Sequence, residues 1–374
     1  MIRILQVVGV LNIGGLESFI MNVYRQIDRS KIQFDFVKHT NDSNFFDEEI
    51  KTLGGRIYSC PKYNVVNMIS YEKWWNTFLK NHPEYHIVHG HCDSTASIYL
   101  RIAKSHGLVT IAHSHSTSSG GGLKGLIKDI MHKKIVDCSD YLFACSELAG
   151  QWLFGKETKV LPNYSIVRNG IDASRFVFSQ SKYDAGRKEL MIEKDAFVVG
   201  HIGRFCDVKN HQYLIDVFCE ILKKRSNSKL VLVGEGPLYQ DIVSIVKQRK
   251  IENHVLFAGI RRDTEKFYSV MDAFVFPSKY EGLPVALIEA QTAGIRCYIS
   301  DIISREVNFS NGRVVYLSIN ETAEKWADVI CSNENNRIVA DELCVKSGYD
   351  IRQVAIFLQN FYEENFFYEK NSSV

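Results

Sequence analysis

The chain has no CxxC pair among its nine cysteines, and no cysteine stands at metal-ligand spacing from another. An odd, scattered set of thiols argues against a disulfide framework and fits reduced side chains in a cytosolic protein. No uninterrupted apolar run reaches the ~18 residues that mark a spanning helix. The opening "MIRILQVVGVLNIGG" carries one arginine and a short apolar run, lacks a signal-peptide cleavage pattern, and reads as a buried strand. Charge of neither sign dominates. The net charge of +2 points away from nucleic acid or another acidic polymer as an obligatory partner. Internal repeats and low-complexity tracts are absent. What is there is a chain of 374 residues, 45% hydrophobic and 24% charged, too long for one ordinary domain and well supplied for two full cores.

Short apolar runs alternate with helix-like segments. "IRILQVV" (2–8) is strand-like, and "LESFIMNVYRQI" (16–27) follows with Leu16, Phe19, Ile20, Val23 and Ile27 at helical spacing. Further strand signals lie at 34–39, 86–91, 108–114 and 140–146. Between 165 and 195 the chain turns polar and irregular, and the series then restarts at 197–203, 228–236, 254–259, 273–278 and 296–300. Strand–helix alternation implies parallel sheets with helices on both faces, and the interruption implies two such units in tandem. A last amphipathic segment carries Ile351, Val354, Leu358, Phe361 and Tyr362 on one stripe. In doubly wound sheets ligands bind beyond the carboxyl ends of the strands, so the informative residues are those that follow them.

Four places stand out. After the first strand, "NIGGLES" sets Gly14 and Gly15 at the start of a helix, where bare backbone amides can meet a phosphate or sugar; the pattern is not GxGxxG, and a plain tight turn is the stronger reading from the spacing alone. After "FVVGHIG", Arg204 and Lys209 lie in a loop that precedes a helix, either a pyrophosphate clamp or a solvated basic loop. In "PSKYEGLPVALIEAQTAG" (277–294), Glu281 lies in a loop, Gly282 permits an unusual turn, Pro284 suits a helix start and Gly294 a helix stop. Glu289 then has Val285, Ala286, Thr292 and Ala293 at i±3 and i±4, all small or apolar. A buried unpaired carboxylate costs several kcal/mol or shifts its pKa, so either this face is solvated or Glu289 has a polar partner. Finally, His89 and His91 follow one strand, and His113 and His115 another. HxH twice suggests zinc, but no carboxylate or thiolate completes a familiar ligand set. Hydrogen-bonding or acid/base work at the strand ends and simple structural histidines are the other readings.

Taken in order, "GGLES", "AHSHS", "YLFACSELAGQWLFG", "VRNGIDASRF", "GHIGRFCDVKNH", "LVGEGP" and "PSKYEGLPVALIEAQTAG" resemble the retaining glycosyltransferases of family 4, most of all the exopolysaccharide and capsule branch. The likeness runs from residue 1 to about 300, and it is specific as a combination rather than in any single motif. It implies the GT-B fold, an α/β architecture of two Rossmann-like doubly wound parallel-sheet domains facing across a cleft. An acceptor-binding domain is expected over 1–180 and a nucleotide-sugar domain over 181–350, with the terminal helix of about 351–374 packing back on the first. In such enzymes the glutamate matching Glu289 accepts hydrogen bonds from ribose hydroxyls, and the one matching Glu281 lies by the donor sugar. Amides near Gly282, Leu283 and Pro284–Val285 face sugar and phosphate. The pair matching Arg204 and Lys209 neutralises the departing diphosphate, and Gly14 and Gly15 match the glycines of the N-terminal loop. The active-site histidine corresponds best to His113, with His115 as competitor; His115 and Glu17 are the acceptor-side candidates.

The resemblance further implies transfer of a hexosyl-type sugar from a UDP-sugar to a glycan or lipid-linked acceptor, on one face and without a nucleophilic carboxylate. No DxD stands near the strand ends, so no metal and no other cofactor is expected. Relatives often carry Gly-Phe-Gly where this chain has Gly282-Leu283-Pro284, which leaves the donor sugar open. The rival readings are a non-catalytic binder of nucleotide sugars or glycans, and a UDP-sugar 2-epimerase, which the Glu281/Glu289 pattern disfavours. Segment 123–136 carries Lys124, Lys128, Lys133 and Lys134 against Asp129, with Leu126, Ile127 and Ile130 among them. Such a basic, apolar helix suits either the surface of an anionic bilayer, for a cytoplasmic enzyme held peripherally, or a core-packed helix with a solvated side.

Overall fold

Each apolar run that follows a turn signal becomes a strand in the computed structural model, which describes residues 1–116, 134–309, 312–334 and 336–372. The chain divides into two compact units, Met1–Gly170 with Ile351–Val374, and Ile171–Asp350. The division falls at Gly170–Ile171 rather than at 180–181, because Ile171 already bridges to Asp350.

The first unit holds a seven-stranded parallel sheet. Its strands are β1 (Ile2–Val8), β2 (Ile32–Lys38), β3 (Ile57–Ser59), β4 (Tyr85–Gly90), β5 (Val109–Ser114), β6 (Tyr141–Ala144) and β7 (Tyr164–Ile166), in the order β3-β2-β1-β4-β5-β6-β7. The second holds β8 (Phe197–Ile202), β9 (Ser228–Val233), β10 (Val255–Phe257), β11 (Ala273–Phe276), β12 (Arg296–Ser300) and β13 (Val314–Leu317), in the order β10-β9-β8-β11-β12-β13. Strand order reverses between β1 and β4 in one sheet and between β8 and β11 in the other, the crevices where such folds bind ligands. The three strands with no run to announce them, β3, β7 and β13, all lie at sheet edges. There a strand packs on few neighbours and needs little apolar sequence. Central β2 is buried throughout, and its Asp35 is sustained by a bidentate pair with Arg3 at 2.5 Å and by the Tyr85 hydroxyl at 2.7 Å.

Four helices bear on the site: α1 (Gly15–Gln26), α2 (Thr264–Val270), α3 (Val285–Thr292) and α4 (Ile351–Ser372). Ile351, Val354, Leu358 and Tyr362 of α4 join the buried core of the first unit, beside Phe19, Ile20 and Val23 of α1. All nine cysteines are free. Among the described residues no helix is long and apolar enough to cross a membrane. Of the basic segment 123–136, residues 123–133 lie outside the described residues; Lys134 is exposed and Ile135 buried.

Leu358→Ala is expected to lower stability by about 2–5 kcal/mol through lost burial and a residual cavity. Ile356→Ala, at a position 62% exposed on the same helix, is expected to change it by no more than about 0.5 kcal/mol. Urea unfolding of both variants checks this; equal effects would mean that α4 does not use this stripe to pack.

Candidate active site

In the second unit two loops leave neighbouring strands, one after β8 and one after β11, and they are tied together. The Lys279 amide donates to the Val208 carbonyl at 2.8 Å, the Lys279 ammonium meets Asp207 at 2.6 Å, and the Asn210 carboxamide donates to the Pro277 carbonyl at 3.3 Å. Between them lies a second, more buried ion pair. Lys209 Nζ stands 2.6 Å from Glu281 Oε1, the two side chains 17% and 13% exposed, with the ammonium also over the Phe276 ring at 4.6 Å. Arg204 belongs to the same loop and is exposed. Asn210 takes the left-handed conformation (φ 55°) where the loop turns into the following helix. Gly234, after β9, presses so closely that a β-carbon there would lie 2.2 Å from the Gly203 carbonyl oxygen. The loop carrying Arg204 and Lys209 is therefore buttressed from two sides.

The chain then enters α3. Pro284 occupies the N-cap position, one residue before the first helical one, and offers no side-chain cap to the first-turn amides. Leu283 and Pro284 are buried, and Gly282 and Val285 are half-buried. Uncapped amides at a positive helix end, beside Lys209 and Arg204, form a place for an anion. Gly294 ends the element with φ 72°, a left-handed turn that favours glycine.

Glu289 does have a polar partner, and it comes from outside its helix. The Tyr268 hydroxyl on α2 donates to Glu289 Oε2 at 2.9 Å and also lies 3.0 Å from the Ala286 carbonyl. Although the residue keeps some exposed surface, surrounding atoms strip its carboxyl of water. That burial pushes it up from the usual 4.5 to about 7, with Tyr268 and then Arg175 opposing.

In the first unit the loops after β1, β4 and β5 lie side by side. Gly14 caps α1 without a side chain, and a β-carbon there would meet Glu17 Oε2 at 2.3 Å. The glycine thus leaves room for Glu17 to fold its carboxylate onto the start of its own helix, where negative charge is favoured; Gly15 is the first helical residue. The two HxH pairs converge ring to ring. His89 Nε2 meets His113 Nδ1 at 3.1 Å, and His91 Nδ1 meets His115 Nε2 at 2.9 Å. Ligand atoms of His89, His91 and His113 all lie within 4.8 Å of one another. Their closest contacts are those of hydrogen bonds between neutral rings. Phe19 of α1 packs on His113 and His115 at 5.5 and 5.6 Å between centroids. Burial drives all four histidines down, three of them far below their ordinary value and His115 to about 3. His113 is 1% exposed within β5, whereas His115, just past the strand, keeps accessible surface. Of the two, only His115 keeps accessible surface. Sequence spacing did not reveal Tyr268, nor Gln6, Asn169 and Tyr362, which hold the histidines from distant parts of the chain.

Residues 183–353 match the family model described as glycosyl transferases group 1, and residues 13–175 the one described as glycosyltransferase family 4. The chain is 33% identical over 368 residues to the putative glycosyltransferase EpsF of Bacillus subtilis, covering 96% of each chain. It is 26% identical over 298 residues to the UDP-Gal:alpha-D-GlcNAc-diphosphoundecaprenol alpha-1,3-galactosyltransferase of Escherichia coli, covering 74% of this chain and 77% of that one. Among solved structures, Anabaena Alr3699/HepE in complex with UDP superposes with a TM-score of 0.70 at 16% identity, covering 100% of both chains. WaaG, a glycosyltransferase involved in lipopolysaccharide biosynthesis, does so at 0.67 and 14%, covering 96% of this chain and 95% of that one.

The Glu289 carboxyl has a directional consequence. With its folded-state value above the unfolded one, stability is full at and below about 4.5 and is lost as pH rises through about 7. Glu289→Gln keeps the Tyr268 hydrogen bond and removes the charge. It is expected to be more stable than the wild type by up to about 3 kcal/mol at pH 8, with a much smaller difference at pH 5.5. Urea unfolding at the two pH values measures this, and the same difference at both would show the carboxyl to be unperturbed.

Proposed function

The chain belongs to glycosyltransferase family 4, with the GT-B fold and a role in polysaccharide biosynthesis, and from that premise we propose that it moves a hexosyl-type sugar, with retention, from a UDP-sugar to a lipid-linked or glycan acceptor. The observation that carries this reading is the Lys209–Glu281 pair at 2.6 Å, set between the loop of Arg204 and the uncapped start of α3. Two likenesses support its terms: Anabaena Alr3699/HepE, a structural neighbour, forms a complex with UDP-glucose, and the Escherichia coli relative is a galactosyltransferase for a diphosphoundecaprenol-linked acceptor.

On this reading the diphosphate lies at the start of α3, against the amides that follow Gly282 and Leu283. Arg204 and Lys209 face the charge that grows on its leaving oxygen, and Glu281 orients Lys209 and lies by the sugar. Fixed cations aimed at developing charge act more strongly on the transition state than on the bound donor. Glu289 accepts from ribose hydroxyls, whose arrival compensates a carboxylate that burial leaves poorly solvated. The bond from the anomeric carbon to the diphosphate breaks as the acceptor oxygen bonds on the same face, and the acceptor's proton passes to the departing phosphate. That scheme uses no metal. In the first unit, Gly14 and Gly15 bring backbone to the ligand, His115 hydrogen-bonds a hydroxyl, His113 supports it from behind, and Glu17 stands at the acceptor side.

Arg204→Ala and Lys209→Ala are each expected to cut turnover of a UDP-sugar by about 10²–10³-fold. Near-normal turnover in either variant would remove that residue from the clamp. Glu289→Ala is expected to weaken UDP binding by about 1.5–3 kcal/mol, read by calorimetry on the folded variant. Unchanged affinity would end the ribose assignment. The lysines of 123–136 are proposed to hold the enzyme at anionic lipid, each adding about 1 kcal/mol near the surface. Flotation with anionic and neutral liposomes reads this as a preference for the anionic ones that fades with salt; equal recovery with both would discard it.

A further inference from the structure

The two HxH pairs set four imidazoles against one another, and the count of their protons does not close. A neutral imidazole carries one N–H, so it donates on one side only. His91 and His115 lie in a row of three links. His91 Nε2 is 2.8 Å from Gln6 Oε1, His91 Nδ1 is 2.9 Å from His115 Nε2, and His115 Nδ1 is 3.3 Å from Asn169 Oδ1. Both ends of the row are carboxamide oxygens, which only accept. Two neutral rings bring two protons to three links. With each end satisfied, His91 donates from Nε2 and His115 from Nδ1, and the nitrogens that face each other at 2.9 Å are both bare. Two lone pairs at that distance repel unless a cation lies between them.

The surroundings are those of a metal ligand set. Imidazoles that bind metal donate their second N–H to a carbonyl or carboxylate oxygen, which fixes the tautomer and turns the other nitrogen inward. Gln6 Oε1 and Asn169 Oδ1 stand where that rule requires. A second pair of rings lies beside the first. His89 Nε2 is 3.1 Å from His113 Nδ1, His89 Nδ1 is 2.6 Å from the Tyr362 hydroxyl, and His113 Nε2 is buried with no hydrogen-bond partner among the described residues. The Tyr362 oxygen can take the N–H of His89, which bares His89 Nε2. One ligand atom from each of His89, His91 and His113 lies within 4.8 Å of the others. A tetrahedral ion with bonds of about 2.0–2.1 Å holds its nitrogens about 3.3 Å apart. The facing pairs, at 2.9 and 3.1 Å, reach that separation by a small parting of the rings. Phe19 packs on His113 and His115, and Phe143 on His89 and His113, an apolar wall that keeps solvent from the cluster. Burial also holds the rings neutral, the form in which imidazole binds metal.

We propose that the two HxH motifs bind one divalent transition-metal ion of the zinc class, with His91 Nδ1 and His115 Nε2 as a facing pair of ligands and His89 and His113 supplying the remaining nitrogens. Imidazoles without a carboxylate suit zinc or cobalt rather than magnesium or calcium. The ion joins the exits of β4 and β5, which are paired in the sheet, and so clamps that edge. It takes no part in the bond-making of the transferase reading and does not depend on it. Spacing alone offered no thiolate or carboxylate to finish a ligand set; the pairing of β4 with β5 finishes it with imidazoles.

The test uses the full chain without a polyhistidine tag, stripped with a chelator and titrated with Co²⁺ at neutral pH. About one equivalent should bind, with the strong visible absorption of a four-coordinate ion, and Zn²⁺ should displace it. His91→Ala should abolish binding. Asn169→Ala removes the oxygen behind His115 and should weaken binding by about 10–100-fold. His106→Ala, at an exposed histidine of the same unit, should leave it unchanged. In the Zn²⁺-loaded chain, long-range ¹H–¹⁵N correlation should find His91 protonated on Nε2 alone and His115 on Nδ1 alone. If His91→Ala does not fold, the wild type, Asn169→Ala and these spectra still decide the matter. A wild type with no saturable binding overturns the proposal. So does binding that His91→Ala retains in full or that Asn169→Ala does not weaken. A His115 ring protonated at Nε2 in the loaded chain overturns it as well, since that proton would stand in the place of the ion.

Discussion

Every strand pairing in both sheets is parallel, and the placement of the functional groups follows from that constraint. A parallel sheet sends all its strands out along one edge, so residues far apart in sequence are gathered there without any long-range signal between them. In the first unit β1, β4 and β5 are neighbours, which brings Gly14, His91 and His115 to one edge. In the second, β8 and β11 are neighbours, which brings the loop of Lys209 against that of Glu281. The strand order reverses between β1 and β4 and between β8 and β11, and the side chains with unusual electrostatics stand beside those reversals.

The two edges use burial in opposite ways. In the second unit, charge is kept: Lys209 and Glu281 are mostly buried but paired, and a half-desolvated ion pair holds its geometry more firmly than an exposed one. Glu289 goes further, with a single hydroxyl donor for a carboxyl that its surroundings disfavour as an anion. Such a group weakens the resting protein at neutral pH, and a ligand that donates hydroxyls to it recovers part of that loss. At the histidine edge of the first unit burial removes charge, and four imidazoles stay neutral and at hydrogen-bond distance from one another.

What the sequence could disclose follows from the range of each interaction. Central strands such as β1 and β8 are buried on both faces and announce themselves as apolar runs; edge strands such as β3 are not, and Ile57–Ser59 gave no sign. The isolation of Glu289 was legible because its helical neighbours are local, and so was the need for a polar partner. That the partner is Tyr268 was not legible, since α2 meets α3 only after the sheet is built. HxH spacing placed His89 with His91 and His113 with His115 on shared faces. The pairing of one face with the other depends on β4 and β5 being adjacent, and the contact from Tyr362 crosses 273 residues of sequence. Pro284 starts the helix from the N-cap position, with Val285 the first helical residue, an offset within the ordinary uncertainty of helix ends.

The neutrality of the histidines bears on where the acceptor's proton goes. A general base works best with a pKa near the working pH. His115 lies at about 3, because burial opposes its charged form more than the Asn169 contact favours it. Such a ring accepts a hydrogen bond well but holds a proton poorly. On the transferase reading it therefore orients the hydroxyl without deprotonating it. Glu281 is no better placed as a base, since its carboxylate is engaged by the Lys209 ammonium at 2.6 Å. On that reading the proton goes to the departing diphosphate, the group that gains negative charge in the reaction, while Arg204 and Lys209 offset part of that charge. On that reading the first unit's contribution is a neutral hydrogen-bonding edge suited to aligning a hydroxyl, the second unit's is a cationic edge suited to a leaving group, and neither edge supplies a side chain with the basicity to take the proton, which is left to the substrate's own oxygen.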